Sequence, residues 1–254
     1  MDGAASRRQR DWRRLLRFGF AALAAAWVSF ASAQAITVSP LRADLSAAET
    51  VAVVTVRNDD PRYPTIVQVG PSSWQVVDGA DHYQPTRDLA VSPSVFKLEP
   101  GQTQVVRLSL RVKADARSER LYRLFLQQVA DEAEQSRRAG NVRFLFNVGI
   151  PVVVAPVQNP DAAPRVAWRI EGGPAGGYRL RASNEGTAHL KLTGVSLPAA
   201  TGEVRIVSGP NYLLPGTERA WNFEAGGPLP AGPVRLTVRA EDGTSSVVQA
   251  DRIE

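Results

Sequence analysis

No stretch of this chain carries a long apolar stripe at helical period. Short runs alternate apolar with polar residues and stop at Asn-Asp, Asp-Gly or Pro-Gly pairs. Alternation at a period of two, bounded by turn formers, is the signature of half-buried strands. Seven such runs fall between about residues 35 and 155: AITVSPLRADL, TVAVVTVRN, PTIVQVGPSSWQVV, LAVSPSVFKL, TQVVRLSLRV, RLYRLFLQQV and NVRFLFNVGIPVVV. The sixth, continued as LYRLFLQQVADEAEQ, also reads as an amphipathic helix. Seven short strands in that length match the arithmetic of an immunoglobulin-like sandwich. A second set, from RVAWRIEGG to SSVVQADRIE, predicts a smaller sandwich, and GGPAGGY within it reads as a hairpin turn rather than a phosphate loop. Between the sets the stretch PVQNPDAAP has three prolines and no periodicity. The expected architecture is all-β, with two immunoglobulin-like β-sandwich domains over residues 34–156 and 165–254, joined by a short proline-rich elbow at 157–164.

The first 33 residues stand apart. Six arginines between Arg7 and Arg17 precede a thirteen-residue apolar run, Phe18 to Phe30, and then small residues, ASAQA. A basic, an apolar and a small-residue region in that order describe a secretory signal peptide, with cleavage after Ala33 or after Ala35 fitting equally. The apolar run falls short of the roughly 20 residues that a spanning helix needs. The Arg-Arg pairs are compatible with twin-arginine export as well as with the general secretory route.

Removing the leader changes the charge argument. Of the 30 basic and 25 acidic residues, residues 1–33 hold six Arg with Asp2 and Asp11, which leaves 24 basic against 23 acidic. The basic pI therefore belongs mostly to the leader, and no basic patch supports a nucleic-acid partner. Cysteine is absent, so there is no disulfide, no Cys-ligated metal and no thiol nucleophile. Cores of two domains of this size can supply the stability.

The inventory for catalysis is equally thin. The two histidines, His82 and His189, have no third ligand at metal spacing, no Gly-x-Ser-x-Gly elbow occurs, and no acidic pair stands out for general acid–base work. The sequence predicts neither an enzyme nor a cofactor or metal site.

What remains is a surface. In NVRFLFNVGIPVVVAP, Val142, Phe144, Phe146, Val148 and Ile150 share one parity, yet the run before it, ADEAEQSRRAG, is polar. Full burial of each such side chain is worth about 1.5–3 kcal/mol, so an exposed stripe is costly and aggregation-prone. Either the stripe faces its own core, or it fills the groove of a partner lacking a strand. Buried strands far outnumber donor strands, and periodicity alone favours the first.

The order of motifs tips the balance. SPLRADL, VRNDDPRYPTIVQV, SPSVFKLEPGQTQVVRL, ERLYRLFLQQV and the stripe, followed by ASNEGTAHLKLTGVSL and NYLLPGTERAW, together resemble the periplasmic chaperones of the pilus chaperone–usher family. The resemblance implies two immunoglobulin-like domains and a periplasmic protein that escorts pilin or fimbrial subunits to an outer-membrane usher. Aligned on Pro156, the family's donor-strand knobs fall on Val142, Phe144 and Phe146, with Val148 as an extension. The family's carboxylate-anchoring Arg maps to Arg42, but Pro151 stands where the partner Lys is usual. Arg107 and Glu119 match a buried ion pair that orients the two domains. Exposure of the stripe in the free protein would also favour a self-capping dimer. The rival is an exported two-domain adhesin or carbohydrate- or protein-binding module, which needs an exposed platform among Trp74, Trp168 and Trp221.

Overall fold

The computed structural model describes residues 36–115, 117–129, 145–172, 177–199 and 202–253. The leader, Val142, Phe144 and most of the GGPAGGY turn lie outside the described residues.

The strands up to Val154 are β1 (Ile36–Ser39), β2 (Ala43–Leu45), β3 (Val51–Asn58), β4 (Thr65–Val77), β5 (Ala80–Pro85), β6 (Leu89–Ser92), β7 (Val95–Leu98), β8 (Thr103–Leu110), β9 (Arg120–Val129) and β10 (Asn147–Val154). One sheet runs β1-β3-β8-β6 and the other β2-β10-β9-β4-β5, with β7 also on β4. Two of the seven expected runs split, and both splits fall at Ser-Pro. β1 and β6 belong to the first sheet and their continuations β2 and β7 to the second, with cis Ser39–Pro40 and Ser92–Pro93 between them. Proline offers no N–H to a ladder, so a strand can leave its sheet there. β5 escaped the sequence reading because all six of its residues are exposed and show no alternation. It is joined to β4 by a two-residue turn in which Asp78 and Gly79 both have positive φ, 51° and 76°, the geometry of a type I′ hairpin.

Between the two sheets lies one apolar cluster, in which Val54, Val56, Val106 and Leu108 of one layer face Val67, Leu98, Leu124, Leu126, Ile150 and Val152 of the other. From Val166 onward, β11 (Val166–Gly172), β12 (Tyr178–Asn184), β13 (Leu190–Ala199), β14 (Gly202–Leu213), β15 (Glu218–Phe223), β16 (Val234–Ala240) and β17 (Ser245–Arg252) form a third sheet in the order β14-β13-β16-β17-β11-β12-β15. It folds around a second cluster that includes Trp168, Ile170, Leu180, Leu197, Leu213 and Leu236. The expected pair of β-sandwiches is the observed fold, and β9 is a strand, not a helix.

A third, smaller cluster joins Trp74, Leu121 and Val153 to Tyr212 and Leu214. This contact explains the burial along β4. Its first half buries Thr65, Val67 and Val69 in its own core, while its second half buries Ser72 and Trp74 on the opposite face, under Tyr212. The stretch around Asn159 is tied down by side-chain donation to Arg117 O and Thr187 Oγ1. A Cβ at Gly186 would lie 2.3 Å from Ala163 O, so only glycine lets the chain approach so closely here.

Candidate functional site

β10 is covered along only part of its length. β9 pairs with all of it, Asn147 opposite Gln127 through Val154 opposite Arg120. On the other side β2 pairs in parallel with Val152, Val153 and Val154 alone. Gln128 N–H donates to Phe146 O at 3.0 Å and Ala155 N–H to Leu45 O at 2.8 Å. Even-numbered residues of β10 thus bond β9 and odd-numbered ones face away, as an antiparallel ladder requires. Among the described residues no strand lies beside the edge groups of Asn147 and Gly149. Pro151 belongs to the same outward-bonding set, so its missing N–H costs no bond to β9.

Burial follows the same divide. Ile150, Val152 and Val154 are 0–1 % exposed and lie in the core, whereas Val148 and Phe146 are only half-buried against it. The apolar parity is therefore continuous, but the domain's own sandwich runs out beneath it. Leu145, on the other parity, is exposed, and so is Leu41, which precedes β2.

Two cations flank Pro151. Ala43 is level with Val152, so one residue back Arg42 is level with Pro151, and across the other ladder Pro151 opposes Arg123. Neighbouring strands are about 4.8 Å apart, so the two backbone positions are about 10 Å apart. Ala43 and Leu45 point into the core while Arg42 and Asp44 are exposed on the outer face. There Arg42 forks onto Asp44, with Nε–Oδ1 2.8 Å and Nη2–Oδ1 2.7 Å. Partial burial works against the Arg42 charge, but the Asp44 hydrogen bond and charge outweigh it and hold the guanidinium above its ordinary value. Arg123 donates to Gly149 O at 3.0 Å and stacks over Trp74, 4.1 Å from the ring centroid. A Cβ at Gly149 would meet the Phe125 ring at 3.1 Å, close enough that the ring would have to give by a few tenths of an ångström.

The expected ion pair between Arg107 and Glu119 does not form. Val106 and Leu108 take the inward parity of β8, so Arg107 is exposed on the outer face of the four-stranded sheet. Glu119 precedes β9 in the other sheet, and its Oε2 meets His189 Nδ1 at 2.6 Å and His189 N at 2.8 Å. Burial raises the Glu119 carboxyl, but the two His189 hydrogen bonds prevail and hold it below the usual range. A second polar joint links Arg219 to Asp81 and to Gly79 O. Beside these contacts is an open cleft of about 490 Å³ lined by Trp74, Asp88, Glu119, Tyr122 and Leu214. Tyr122 there is pushed up to about 12 by burial and by Asp88.

Among the described residues the tryptophans form no exposed platform: Trp74 and Trp168 are buried and Trp221 packs on the second core. Arg123 was missed by sequence reasoning. Its only signal was a lone cation on the outward parity of β9, between Leu121 and Phe125.

Residues 35–160, about half the chain, match the family model of the pili and flagellar-assembly chaperones, PapD N-terminal domain. The chain belongs to this family. The chaperone is also similar in fold to a chain of the CsuC–CsuE chaperone–tip adhesion subunit pre-assembly complex of Acinetobacter baumannii, with 17% identity and a TM-score of 0.68 over 87% of this chain and 100% of that one. A chain of the Salmonella enterica SafA pilin–SafB chaperone complex matches at 19% identity and TM-score 0.60, over 87% and 97%. The E. coli chaperone DraB matches at 20% and 0.57, over 86% and 98%. No curated protein matches the sequence significantly.

Proposed function

We propose that this chaperone binds pilin or fimbrial subunits by lending them β10 and its lead-in, and hands them to an outer-membrane usher. One observation supports the reading above the rest: the apolar parity of β10 outruns its own sandwich at the point where, among the described residues, no strand pairs with its outer edge. A subunit lacking a strand can pair with that edge through main-chain bonds, while Val142, Phe144, Phe146 and Val148 fill its groove. Neither nucleotide nor cofactor is required, because the subunit's completed fold supplies the free energy. The reading contains no catalytic step.

The cation pair supports an anchor for a carboxylate at the end of the bound strand. Arg42 and Arg123 stand on either side of Pro151, so the second cation that Pro151 cannot provide comes from β9. Charge-assisted forks of this kind set register as well as strength. In this reading residues 1–33 are removed on export to the periplasm, where chaperones of this family act, and residues 34–156 and 165–254 form the two working domains. Without a subunit, a second copy laid on the same edge would cover it, which light scattering on the mature protein tests.

Co-expression of a tagged pilin-type subunit with the chaperone carrying Phe144→Asp plus Phe146→Asp is the decisive experiment. The complex is expected to be lost. Its undiminished recovery rules out strand donation.

A further inference from the structure

Among the described residues, three buried side-chain polar atoms have no hydrogen-bond partner: the Thr65 hydroxyl and both amide atoms of Gln128. They are neighbours. Gln128 opposes Val67 across the β4–β9 ladder, and Thr65, two residues along β4, takes the diagonal position that a long side chain reaches. On its other side Gln128 is level with Phe146, to whose carbonyl it donates its N–H.

Rows across the inner face of the sheet show what this means. Val148, Leu126 and Val69 make one row, entirely aliphatic. The next row outward is Phe146, Gln128, Val67 and Phe96. The polar side chain therefore enters the sandwich beside the half-buried ring of the apolar stripe. An apolar residue of the same shape at 128 would remove two of these three unbonded atoms and leave only the Thr65 hydroxyl, and such a replacement is neutral or stabilising where the polar group has no partner.

We propose that Gln128, with Thr65, is a positioning residue for the donor strand. It keeps the inward seat of Phe146 poor, so that the ring is released to a partner's groove instead of completing its own core. The inference rests on the strand-donation reading above. A partner's apparent affinity scales with the fraction of chaperone whose ring is free to leave. An apolar residue at 128 closes the row, holds the ring inward and reduces that fraction.

The test is Gln128→Leu in the mature protein, reading the thermal midpoint of the free chaperone and its Kd for the tagged pilin-type subunit. The midpoint is expected to rise by about 2–4 °C, while the complex weakens about 5–10-fold. Opposite signs are what a purely structural role would not produce. A raised midpoint with unchanged affinity overturns the proposal. So does a lowered midpoint, which would mean that the amide is hydrogen-bonded in solution. Thr65→Val carries the same expectation at smaller amplitude and decides the matter should Gln128→Leu fail to fold. Phe146→Asp is measured alongside. If it binds like the native chain, strand donation itself falls and this inference with it. If it loses binding while Gln128→Leu keeps it, only this inference falls.

Discussion

The two ends of β10 are built from the same alternation and meet opposite fates. From Ile150 to Val154 the strand has β9 on one side, β2 on the other at Val152 to Val154, a core beneath and, at Val153, a second apolar contact above. At Asn147 to Gly149 and at the preceding Phe146 it has only β9 beside it among the described residues, and Phe146 and Val148 are half covered. A strand's character is thus set by what lies beside it. The short β2 divides one continuous stripe into a part sealed in the core and a part only half-buried.

Large-to-small changes should expose the difference first. Ile150→Ala is expected to lower unfolding free energy by about 2–5 kcal/mol in a denaturant titration. Phe146→Ala should cost only about 1 kcal/mol, since half-burial leaves it half the usual gain. Equal losses at both positions would erase the distinction between the two ends.

Gly149→Ala tests the outer face of the open end. A methyl group 3.1 Å from Phe125 asks that ring to give by a few tenths of an ångström, while Arg123 at 3.7 Å stays in ordinary contact, and mild overpacking of this kind costs about 1 kcal/mol. The same denaturant titration measures it. The cations sharpen the comparison further. Arg42→Ala should change the stability of the free protein by less than about 1 kcal/mol, because its pair with Asp44 is exposed. Yet it should weaken the subunit complex about tenfold, the scale of a lost charge-assisted hydrogen bond. Affinity that stays level in calorimetry would remove Arg42 from the anchor.

The smallest effect concerns the joint beyond the buried end. The Glu119 carboxyl is held below its ordinary 4.5, so its stabilisation is complete above about pH 4.5 and fades as the pH falls through the lowered folded-state value. Thermal midpoints should therefore drop on acidification below that point, and drop less in Glu119→Gln. Parallel curves for the two proteins would mean that the His189 contact contributes nothing to this acid sensitivity.

Much of this was legible from residue order. Alternation located β3, β4, β8, β9 and β10, because a two-residue period is local and needs no partner to be seen. β5 was invisible for the converse reason: it is exposed throughout and held by pairing with β4. The Arg107–Glu119 pairing failed because alternation shows that residues share a face without showing which sheet that face belongs to, and Arg107 points away from Glu119's side of the molecule. Arg123 and Gln128 were present in the text of β9 as one outward cation and one inward amide. Neither had meaning until Pro151 and Phe146 were placed opposite them.

Composition and period by themselves determined an all-β chain without disulfides and the parity on which the stripe of β10 lies, since these depend on side-chain chemistry and the pleat alone. Which segment of that stripe is sealed and which is left open was decided by the tertiary structure. The reason is physical: burial and edge pairing are set by how far neighbouring strands extend, and β2 stops at three residues.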